Sequence, residues 1–147
     1  MKKIAILLFI LTNTSCDSIK KFHVNGVERY TMTNVCGKIN FQGGIFGRCI
    51  LYLNLTIEGD NYVVLLSKIK EAVSINMSNP IKSIEFFDEK GNVIEGSEIE
   101  VKRDKIYTVK VDFRDALKEN QIITILPNNY IQCGGKQIIL DTISIKI

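Results

Sequence analysis

The chain has 147 residues, 46% hydrophobic and 24% charged, a size and balance that suit one globular domain and exclude a disordered chain. Its formal net charge is +3, and Lys2 and Lys3 supply two of those charges near the N-terminus, so the rest is close to neutral. That argues against a nucleic-acid binder, which needs a clustered basic face to neutralise phosphates.

Met1-Lys2-Lys3 is a short positive segment. Ile4 to Leu11 is an unbroken apolar run, followed by the small polar residues Thr12-Asn13-Thr14-Ser15 and then Cys16. Charge, apolar core and small-residue cleavage site in this order predict a signal peptide over residues 1–15. The apolar run is too short to span a bilayer, which takes about 20 residues. Asp17 to Asn25 is polar, mixed in charge and without periodicity, and reads as a tether over 16–25 leading into a domain over 26–147.

Leu11 to Cys16 resembles the lipobox of bacterial lipoproteins, in the looser form of Bacteroidota-like sequences. Thr14 and Ser15 fit that pattern, and Asn13 stands where the family usually has an aliphatic residue. The resemblance implies that Cys16 becomes the first mature residue and carries lipid. Several acyl chains on one cysteine make a stable membrane anchor. It also implies a cell-envelope location, on either the periplasmic or the surface face. Asp17-Ser18-Ile19 and Asp141-Thr142-Ile143 resemble sites that such bacteria O-glycosylate.

The rest of the chain reads as strands. Val27 to Val35 is a first strand, and Gly37 to Gly47, with four glycines, is a loop or bulged hairpin. In Cys49 to Ile57, Leu51, Leu53, Leu55 and Ile57 share one face, with Tyr52, Asn54 and Thr56 on the other. Tyr62 to Leu66 returns after a Gly59-Asp60-Asn61 turn, and Val73 to Met77 follows a short polar segment. Ile81 to Glu95 is a hairpin turning at Asp88-Glu89-Lys90-Gly91-Asn92. Glu98 to Val101 is a short strand. In Ile106 to Phe113, Tyr107, Val109, Val111 and Phe113 share a face opposite Lys110 and Asp112. Arg114 to Asn120 is read as one or two helical turns, Gln121 to Leu126 as a strand ended by Pro127, and Asn128 to Lys136 as a loop. Gln137 to Ile147 is a long last strand. Seven to nine strands without a long helix predict an all-β protein, a single antiparallel immunoglobulin-like sandwich, with a lipocalin-like β-barrel as the alternative.

With Cys16 lipidated, Cys36, Cys49 and Cys133 remain, so one intrachain bridge at most can form. The options are 36–49, 36–133 and 49–133, and an exported protein meets an oxidising compartment where such a bridge persists. Cys36–Cys49 is preferred, because it would tie the ends of the glycine-rich loop. That pinned loop would offer Phe41, Phe46 and Arg48 to a partner, since aromatic and Arg side chains dominate binding hot spots. No CxxC occurs, and the single histidine, His23, lies in the tether, so neither a metal, a cofactor nor a catalytic triad is expected. The carboxylate pairs Asp88–Glu89, Glu98–Glu100 and Asp112–Asp115 are assigned to turns and strand faces rather than to chemistry.

The expectation is a non-catalytic, membrane-anchored binding or structural module whose partner is an envelope protein or a glycan. The alternatives are a small inhibitor or immunity-type protein working through the loop at 37–47, and a carrier holding an apolar ligand in a cavity.

Overall fold

A computed structural model describes Lys20–Lys21, as strand backbone, and residues 29–147. The signal peptide over 1–15, the lipidated Cys16 and most of the tether lie outside the described residues. Lys20–Lys21 falls within the stretch read as tether and forms a strand, β1, beside Ile45 and Gly44.

The described chain is all-β, in three antiparallel sheets. The largest contains β2 (Arg29–Asn34), β3 (Gly37–Phe46), β4 (Ile50–Gly59), β7 (Ile81–Phe87) and β9 (Tyr107–Phe113). Its order is β1-β3-β4-β9-β7, with β2 also paired to β3. The four-stranded sheet runs β12 (Lys136–Gln137), β11 (Ile131–Cys133), β5 (Tyr62–Leu65), β8 (Glu98–Glu100). The three-stranded sheet runs β13 (Ile143–Lys146), β10 (Ile122–Ile125), β6 (Val73–Ile75). Each sheet is open, with two free ends to its strand order, so the chain does not build the closed barrel considered from the sequence. The physical cause is visible at Gly59–Asn61. The chain turns there with Asn61 in the left-handed region (φ 66°), and β5 starts a new sheet instead of extending the first.

Strict alternation decides which face of the large sheet is inside. Leu51, Leu53, Leu55 and Ile57 of β4 and Tyr107, Val109, Val111 and Phe113 of β9 are buried. They join Val73, Ile123, Ile125, Ile143 and Ile145 of the three-stranded sheet and Tyr62, Val64 and Ile131 of the four-stranded sheet in one hydrophobic cluster. Each such side chain contributes roughly 1.5–3 kcal/mol of transfer free energy.

Several elements differ from the sequence reading: 128–136, read as a loop, holds β11, the last strand, read over 137–147, is β13 at Ile143–Lys146, and the 81–95 hairpin keeps only a bridge between Phe87 and Val93 on its return. The glycine-rich stretch is not a loop: Gly37–Phe46 is a ten-residue strand, paired along its whole length with β4 and on its other side with β2 and β1. Ile39, Phe41 and Ile45 point into the core at period 2, and burial on that scale outweighs the weak strand preference of glycine. The polar stretch after β5 forms a 3-10 turn (Leu66–Lys68) and one helical turn, α1 (Ile69–Ala72), because Ile69 and Ala72 reach the core from it. Arg114 to Asn120, read as helical, is irregular. Its Leu117 is buried, and the Leu117 N–H donates to the Arg48 carbonyl at 2.6 Å.

One disulfide joins two sheets. Cys36, in the β2–β3 turn, is bonded to Cys133 at the end of β11, with Cα atoms 6.0 Å apart and a sequence separation of 97. This corrects the preferred Cys36–Cys49 pairing, and Cys49 is a free thiol. With Gly37–Phe46 extended, the two thiols stand at opposite ends of β3, roughly 30 Å apart at ordinary strand rise. A bridge requires Cα atoms within about 7 Å.

Candidate functional site

The outward face of the large sheet is a ladder of cross-strand rows. One row sets Gln42, Asn54, Thr108 and Phe87 side by side on β3, β4, β9 and β7. The next sets Gly44, Tyr52, Lys110 and Glu85. Phe46 stands one step further along β3, beside Ile50. Because the inward residues of these strands are apolar, the pleat sends this polar and aromatic set outward. Except for Glu85, the residues of these two rows and Phe46 line an open groove of about 880 Å³, walled at one side by the Asp88–Gly91 turn and Ile106.

Gly44 lies opposite Tyr52, carries no side chain and belongs to the lining. Phe46 meets Tyr52 edge-on, with ring centroids 6.4 Å apart and planes at 72°, which fixes both rings at one end of the groove. Phe87 lies at the other end, about 12 Å from Tyr52 by two strand spacings and two residues of rise. Ile106 is 48% exposed beside it.

Between the aromatic ends stand hydrogen-bond donors. Asn54 Oδ1 accepts the Thr108 hydroxyl at 2.8 Å, and Gln42 Oε1 accepts Arg29 Nη2 at 3.2 Å. Each amide therefore spends its oxygen within the sheet, and its NH2 has no partner among the described residues. Lys110 adds an ammonium that forms no ion pair among the described residues.

The rim is braced. Asp88 Oδ1 accepts the backbone N–H groups of Lys90 and Asn92, both at 2.9 Å, and Gly91 turns the chain at φ 80°. The Asn92 N–H, helped by that of Lys90, holds the Asp88 carboxyl below the usual aspartate value of 3.8. Lys105 Nζ contacts Glu89 Oε1 at 3.2 Å and neutralises that carboxylate. With Glu89 paired, Asp88 and Lys110 are the other charged residues of the lining, and Glu85 stands beside Lys110 in the same row.

The residues singled out from the sequence fall in different places. Phe41 is fully buried and unavailable to a partner, because its position in β3 faces the core. Phe46 belongs to the groove. Arg48 is exposed in the three-residue turn between β3 and β4, with φ 63°. The three therefore do not form one loop surface. Cys16 and His23 lie outside the described residues. Tyr52, Asn54 and Lys110 were readable as the outward phase of their strands, but the pairing that gathers them with Gln42 and Phe87 was not. Among the described residues, no group of three or more His, Cys, Asp or Glu side chains converges as a metal site would.

Comparison of the chain with known protein families, with curated proteins and with solved structures finds no match to any of them.

Proposed function

We propose that this chain is a lipid-anchored module of a bacterial cell envelope. Cys16 holds it to the membrane, and the outer face of the large sheet binds an envelope component without catalysis. The observation that carries the binding half is the groove: aromatic residues at both ends, unpartnered donors between them, and a braced turn as its wall. Convergent polar groups in an apolar concavity are the usual make-up of a ligand site. The anchor half rests on the charge, apolar run and small residues that precede Cys16.

An immunoglobulin-like sandwich is the architecture we infer for the three sheets. Its support is the single cluster that unites their inward residues. The carrier alternative fits poorly, because the space between the sheets is filled by that cluster.

Metabolic labelling with a fatty-acid analogue in a bacterial host, comparing wild type with Cys16→Ala, tests the anchor. Label that disappears with Cys16→Ala is the expected result. Processed but unlabelled protein would replace the anchor with ordinary secretion.

A further inference from the structure

We infer that the groove on the large sheet is a glycan site, taking a short stretch of an uncharged oligosaccharide. This deepens the reading of that face as the binding surface and rests on it.

Three observations select the ligand class. The first is shape. About 880 Å³ of open groove lies within the range of small-ligand sites, whereas protein partners usually meet broad, flatter patches of about 800 Å² a side. The second is chemistry. Sugar rings present apolar C–H faces and equatorial hydroxyls. Tyr52 and Phe87, about 12 Å apart, place two aromatic side chains in the lining, the kind of surface a sugar face stacks on. The Asn54 NH2 and the Lys110 ammonium stand between them, with the Gln42 NH2 one strand beyond Asn54, as donors toward hydroxyl and ring oxygens.

The third is charge. Asp88 and Lys110, one of each sign, are charged residues of the lining, and Glu89 is already matched by Lys105. Phosphate or sulfate polymers need a run of cations, which this groove lacks. A cationic ligand would need unpaired carboxylates in excess. An extended peptide adding to a sheet pairs with a free strand edge, yet β4 and β9, which form the floor, are paired on both sides. An uncharged ligand read by side chains alone is what this surface accommodates.

The test uses the full processed protein, purified in detergent. It is presented with immobilised cello-, malto-, xylo-, manno-, laminari- and chito-oligosaccharides, with a sulfated heparin fragment as charged control. Binding to at least one uncharged probe is expected. Tyr52→Ala should weaken it about tenfold and Tyr52→Phe should retain most of it, since stacking survives without the hydroxyl. Asn54→Ala should weaken it too, and Ile139→Ser, at a position 94% exposed and outside the groove, should leave it unchanged. The inference is overturned if the folded wild type binds no uncharged probe, binds only the sulfated one, or binds equally well as Tyr52→Ala. Lipid on Cys16 with an empty panel would remove the glycan and leave the anchored module. A bound probe without lipid would do the reverse.

Discussion

A methyl group at position 59 has nowhere to go. Gly59 and Gly37 face each other where β3 meets β4, and a Cβ on Gly59 would run into the Cys36 carbonyl. One on Gly37, which also sits at φ 137°, would strike the Glu58 carbonyl. Both obstacles are backbone, so relief requires the hairpin to part. Gly59→Ala should therefore destabilise the fold by about 2 kcal/mol, read as a lower denaturant midpoint with an unchanged slope. Buried phenols set a second residue-level expectation. Burial pushes the Tyr130 hydroxyl well above its ordinary value of 10.0. It also raises Tyr62, whose hydroxyl donates to Asn34 Oδ1 at 2.8 Å. A group whose folded pKa is raised stabilises fully below its unfolded pKa and loses that contribution as pH climbs through the folded value. The phenol contribution should thus hold flat up to pH 10.0, the ordinary phenol value, and fall above it. Tyr130→Phe should remove much of that fall, as denaturation midpoints on either side of that pH would show.

Single elements show where sequence reading succeeds. Period-2 alternation alone assigned β4 and β9 and put Tyr52 and Asn54 on the outward face, because a half-buried strand leaves its signature in every second residue. The Asp88–Asn92 turn was equally legible, since a carboxylate followed by Gly91 and Asn92 supplies its own hydrogen bonds. Its return strand was not: beyond the turn, pairing is confined to a bridge between Phe87 and Val93 and the Ile94 N–H on the Phe86 carbonyl at 2.8 Å. Glycine misled at β3, because local preference marks Gly43-Gly44 as a turn while the flanking Ile39, Phe41 and Ile45 are buried only if the strand runs on. The Asp88 turn yields a pH expectation of its own. Its carboxyl is lowered, so its support is present above 3.8 and lost as pH falls through the lower folded value. A carboxyl-carbon titration should place the Asp88 midpoint below 3.8, and the Lys90 and Asn92 amides should lose protection with the same midpoint.

Across the whole molecule, the covalent tie and the binding face share an origin in which strands pair, and pairing between distant segments is the part a single sequence conceals. Three cysteines allowed three bridges; only the placement of β11 beside β5, with Cys133 opposite Tyr62, brings Cys133 to the β2–β3 turn. The bridge spans 97 residues and ties the six-stranded sheet to the four-stranded one. A closed loop of that length restricts the unfolded chain strongly. Cys133→Ser should lower stability by about 4 kcal/mol, while Cys49→Ser should change it little; chemical denaturation of the two variants compares them directly. Distant pairing also hides the groove in the sequence: its strand residues come from four strands between positions 42 and 110, and no spacing in the chain announces that they share a face.

The central claim is that the outer face of the large sheet is the working surface. Site-specific photocrosslinking in intact cells tests it most directly, with a benzophenone side chain placed at Phe87 on the groove and, separately, at Lys146 on the three-stranded sheet. Adducts from position 87 that Tyr52→Ala suppresses, with none from position 146, are the expected result. Adducts from position 146 with none from position 87 would contradict it.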